Sequence, residues 1–171
     1  MNRSAALWLT GLWLGLLVAS WVSATASFRA VDRVLGPVVR PEIETRLASV
    51  AAADRRLVLR HLASEINRWM FRRWAIVQAL LALVLVIAAW PGGGASRLLA
   101  LALFVVVLIQ LVGLGPPIAR LGESLDFVPR PLPADVARSF GLLHGGFVLL
   151  DLAKAVVLVA LAFLVARRPL P

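Results

Sequence analysis

Four long apolar runs divide the chain, at about residues 5–26, 74–90, 98–114 and 140–166. A helix needs roughly 20 apolar residues to cross the hydrocarbon of a bilayer. The pattern predicts an all-α membrane protein with four transmembrane helices in one polytopic domain spanning residues 1–171. The first run also fits a cleavable signal peptide, since Arg3 precedes it and Ala24-Thr25-Ala26 follows. Trp8, Trp13 and Trp21 within it favour a retained helix with interfacial aromatics.

Between the first two runs lies one long polar segment, residues 28–73. Gly36-Pro37 breaks what precedes it, and Pro41 opens a short helix with Glu42 and Glu44 in its first turn. From Asp54 onward Leu59, Leu62, Ile66, Trp69 and Met70 recur at helical spacing. Arg56, Arg60, Arg68 and Arg72 fall on an i,i+4 row opposite them, with Ser64 in the gap. This predicts an amphipathic juxtamembrane helix that either runs into the second span or lies along the interface and bends in.

Pro91-Gly92-Gly93-Gly94 closes the second span with a tight turn, so spans two and three form an antiparallel hairpin. Gln110 is the one polar residue of the third span, which the pattern ends at Gly115-Pro116-Pro117. A Pro-rich loop over 115–134 follows, and Asp135 favours the start of the last helix.

Composition sharpens this picture. Hydrophobic residues make up 61% and mean hydropathy is +0.89, which leaves no room for a separate soluble catalytic domain. The net charge of +9 comes from arginines, since Lys154 is the single lysine. Juxtamembrane arginines suit anionic lipid headgroups better than nucleic acid, for which no domain is present. Thirteen of the 17 arginines fall in the first and third loops, so the positive-inside rule predicts those loops to be cytoplasmic and both termini outside. With no cysteine, thiolate chemistry and cysteine metal sites are excluded.

Two constellations could carry chemistry. His144, Asp151 and Lys154 interrupt the fourth span, with His144 and Asp151 seven residues apart on one face. Intramembrane ionisable groups suggest a relay or small binding site, or a pair in which Asp151 and Lys154 neutralise each other while His144 lies near the headgroups. Gly145-Gly146 beside them would let a neighbouring helix approach closely. The second constellation is His61, Glu65, Asn67 and Arg68, a His–Glu–Arg network at helical spacing. It reads either as ordinary ion pairs on an amphipathic helix or as a general base and metal ligand. Ordinary ion pairs are favoured and no metal is expected. Two histidines so far apart in depth do not suit haem, and hydrolase, Walker and Rossmann signatures are absent. No enzyme activity and no cofactor are expected.

Phe140-Gly141-Leu142-Leu143-His144-Gly145, after Pro117-Ile118 and a Pro-rich loop, resembles the end of the four-helix bacterial proteins similar to eukaryotic transmembrane protein 205. The resemblance covers the last third of the chain and implies four spans, a bacterial inner-membrane location and His144 as the motif residue. That family has no settled activity, so the resemblance implies a fold more than a function. The reading that follows is a non-catalytic accessory or scaffold protein, partnered by anionic lipid and by a membrane protein or further copies of itself. The alternative is a small ion- or proton-coupled carrier using His144, Asp151 and Lys154.

Overall fold

The computed structural model describes residues 3–36, 40–92, 94–128 and 131–167. Pro37 and Gly93, named above for turns, lie outside them, as do Pro129, Arg130 and Arg168 of the Pro-rich loop and the C-terminal end. The described residues are predominantly helical and contain no strand. Helix α1 is Arg3–Val34, α2 Pro41–Leu47, α3 Ala52–Ala89, α4 Gly94–Leu108, α5 Gly115–Ser124 and α6 Ala134–Ala166. Four helical stretches, Arg3–Val34, Ala52–Ala89, Gly94–Ser124 and Ala134–Ala166, are long and apolar enough to cross a membrane. The chain is an all-α, multi-pass membrane protein.

The four spans form a ring in which α1 packs between α3 and α6, and α4 packs between the same two on the other side. Trp13, Leu17, Leu85, Leu103, Leu158 and Leu161 are buried at its centre. Outward side chains such as Leu80, Val112, Leu149 and Val156 are apolar and exposed, as lipid contact requires.

Helix α3 runs unbroken for 38 residues, about 57 Å at the standard rise. It therefore runs straight into the second span, the first of the two arrangements expected, and does not lie along the interface and bend in. Its lower half is also turned the opposite way from a water-soluble amphipathic helix. Asn67 and Ala63 are buried, while Leu62, Ile66 and Trp69 are more than half exposed. Hydrogen bonding is the cause: Asn67 Nδ2 donates to Ser27 Oγ at 2.8 Å, which fixes the polar face against α1.

The Trp90–Gly92 turn reverses the chain at Pro91, and Arg97 Nη2 donates to the Trp90 carbonyl at 2.8 Å to hold the hairpin closed. Gly115-Pro116-Pro117 does not end the third span. A π-helical turn, Ile109–Leu114, precedes it, and α5 continues to Ser124, so the first part of the expected Pro-rich loop is helical. Two successive prolines offer no backbone N–H to the preceding turn, and their rings crowd its carbonyls. Widening the turn relieves this, and the Gly115 N–H bonds back to the Gln110 carbonyl instead.

Among the described residues, no helix of the same chain packs closely on Gly145 or Gly146. A Cβ added at either meets no atom within 4 Å.

Candidate functional site

Each span brings polar side chains to one level of the bundle. Asp151 and Lys154, one turn apart on α6, are almost wholly buried, and Lys154 Nζ lies 2.7 Å from Asp151 Oδ1. Lys154 Nζ also donates to Gln78 Oε1 of α3. The same oxygen accepts the Trp13 indole N–H of α1 at 3.3 Å. Gln110, in the π turn, donates through Nε2 to Asp151 Oδ1 and to the Phe147 carbonyl, each at 3.0 Å. Trp21 Nε1 completes the set by donating to Asp151 Oδ2 at 3.1 Å.

Both carboxylate oxygens of Asp151 are thus occupied, and its charge is matched by a lysine within contact. Breaking a buried ion pair by removing one partner leaves an uncompensated charge in a medium that cannot solvate it. The network therefore ties all four spans to one register. One acceptor is left over: Gln110 Oε1 is buried with no partner.

Histidine 144 is not part of this cluster. Seven residues, two helical turns, carry it about 10 Å along α6 from Asp151, so the two share a face without sharing a depth. The His144 ring is exposed and stacks on Phe140, with centroids 5.7 Å apart. The intramembrane triad read from spacing is a pair, Asp151 and Lys154, joined by Gln78, Gln110, Trp13 and Trp21. Gln110 was visible as the lone polar residue of its apolar run; Gln78 holds the same place in the second run and was not singled out. The tryptophans were not legible as partners, because an indole N–H reads as interfacial until its partner is known; Trp13 is fully buried.

A second polar cluster lies where α3 meets the chain beyond α5. Arg68 grips Asp126 with two hydrogen bonds, Nη2 to Oδ2 at 2.6 Å and Nη1 to Oδ1 at 3.1 Å, and also pairs with Glu65 one turn away. His61 Nδ1 lies 2.8 Å from Asp126 Oδ2, and its ring packs on Phe127 with centroids 4.7 Å apart. Burial by itself raises the Asp126 carboxyl, but the hydrogen bonds from Arg68 and His61 outweigh it, and the group titrates below the ordinary carboxylate range. Asp126 was missed from sequence because nothing in a charge-balanced loop marks which acid folds back.

Ligand atoms of His61, Glu65 and Asp126 lie within 4.8 Å of one another, a donor set that a divalent cation could use. Here the Arg68 guanidinium bridges both carboxylates and supplies the positive charge itself. The arginine row is also divided by its surroundings. Arg56 pairs with Asp32 at 3.2 Å, Arg60 sits 5.8 Å over the Phe28 ring, Arg68 is largely buried in the clasp, and Arg72 is exposed. The four do not form one surface.

Comparisons with known protein families, with curated proteins and with solved structures give no match to this chain.

Proposed function

We propose that this protein is a non-catalytic, multi-pass membrane protein that acts as an accessory subunit, packing against another membrane protein in an anionic, inner-membrane-type bilayer. The observation that carries this reading is the closure of the Asp151–Lys154 network: its ion pair is matched, enclosed and shared among all four spans. Such an interior holds helices in place, and leaves the outer surface to do the work. On that surface, Gly11-x-x-x-Gly15 of α1 and Gly141-x-x-x-Gly145 of α6 face outward, with open space at each glycine. Small residues four apart let another membrane helix approach closely, where packing drives association.

A second reading, an ion-coupled carrier, is favoured by one feature. Gln110 presents an unpartnered acceptor beside Asp151 in a non-α turn, and irregular helices within membranes often line ion sites. Reconstitution of Asp151→Asn separates the two readings. The accessory reading expects no pH-dependent flux from the parent protein in liposomes and a co-purifying membrane protein from native membranes. A flux that Asp151→Asn abolishes while the fold persists would establish the carrier instead.

A further inference from the structure

Two arginine–tryptophan pairs on the α3–α4 hairpin indicate where the hydrocarbon ends. The Arg73 guanidinium lies 5.7 Å from the Trp69 ring centre, and Arg97 lies 4.5 Å from that of Trp90. Indole rings collect at headgroup level, and arginine stems reach toward it. The stretch from Trp69 to Trp90 is about 31 Å long at 1.5 Å per residue. That matches a hydrocarbon core of roughly 30 Å.

Below Trp69, α3 keeps presenting apolar side chains outward. Val58, Leu62 and Ile66, four residues apart, are 56%, 55% and 51% exposed. Leu62 and Val58 lie about 10 and about 16 Å below Trp69 along the helix. The headgroup layer is only roughly 5–7 Å deep, so lipid does not cover them. An exposed apolar row in water marks an interaction surface.

Charge selects the occupant. Arg72 and Arg73, both exposed, sit at the upper end of the row; Arg56 is paired with Asp32 on another side of α3, Glu65 is held by Arg68, and Asp54 is the exposed acid nearby. A second copy inserted the same way would meet this face at equal depth. Its Arg72 and Arg73 would then oppose the same residues, which is repulsive. We infer that the Val58–Leu62–Ile66 face of α3 docks an acidic amphipathic helix of another protein, one anchored close to the same membrane face. This deepens the accessory-subunit reading, on which it rests, by giving that partner a chemistry and a place.

The test uses the full chain in native membranes with photoactivatable benzoylphenylalanine at position 62, and at position 149 on the lipid-facing side of α6. Adducts are identified by mass spectrometry of the cross-linked peptides. Position 62 should capture a protein segment that is amphipathic and net negative. Arg72→Gln combined with Arg73→Gln should lower that yield about tenfold, with folded protein and the yield at 149 unchanged. A self-adduct, a lipid adduct, a segment without net negative charge, or a yield indifferent to the arginines overturns the proposal. A protein captured from 149 but not from 62 removes this site and leaves the accessory role standing.

Discussion

Lysine 154 has no water to turn to. Its ammonium group meets Asp151 and Gln78, and its side chain is completely enclosed. Lys154→Met should therefore strand the Asp151 carboxylate and destabilise the bundle by about 3 kcal/mol, whereas Asp151→Leu with Lys154→Met should restore much of it. Thermal unfolding of both variants in detergent measures the difference, and equal losses would contradict the ion-pair account. The spacing of three already placed these two residues side by side. What spacing cannot give is depth, which is why His144 shares their face and not their partners. Asp126 tests the second cluster. Its folded pKa is depressed, so its contribution is complete above the unfolded value near 4 and fades as pH falls through the folded one. Acidification below about pH 4 should release the chain after α5, while Asp126→Asn should already be loosened at neutral pH. Hydrogen exchange in 119–128 reads both states.

Helices respond to glycine by what surrounds it. At Gly115 an added Cβ would sit 3.0 Å from the Gln110 carbonyl oxygen, a backbone atom that cannot swing aside. Gly115→Ala should cost about 1–3 kcal/mol and disturb the turn that aims Gln110 at Asp151. Gly145→Ala and Gly146→Ala meet open space and should instead stabilise by up to about 1 kcal/mol, read from the same melts. Apolar run length was sufficient to find the four spans. It was insufficient at Gly115-Pro116-Pro117, where the usual reading of two prolines as a stop overlooks a π turn that absorbs the missing donors. The direction in which the lower half of α3 turns its apolar stripe was not legible for a related reason. An apolar stripe on a polar helix normally faces the core, but here Asn67 and Arg68 have fixed partners inward, and the stripe is left outside.

The whole molecule is longer than a membrane is thick. Helices α1, α3 and α6 have 32, 38 and 33 residues, so about 12 to 18 residues of each extend beyond what a bilayer needs. The arginine distribution predicts that this excess is cytoplasmic. A chain without cysteine makes the check direct, since any introduced thiol is unique. Arg46→Cys should be blocked by a membrane-permeant maleimide only, and Gly94→Cys by an impermeant one added outside; the reverse result inverts the topology.

One rod, α3, is pinned at two heights. Gln78 holds it in the bilayer and Arg68 holds it at the membrane face, about 15 Å apart. A shaft clamped twice resists twisting, because turning it would strip both clamps at once. Tilting or sliding it against its neighbours would likewise have to break the contacts at Lys154 and at Asp126 together. The molecule is built as a strut, stiff between its two faces.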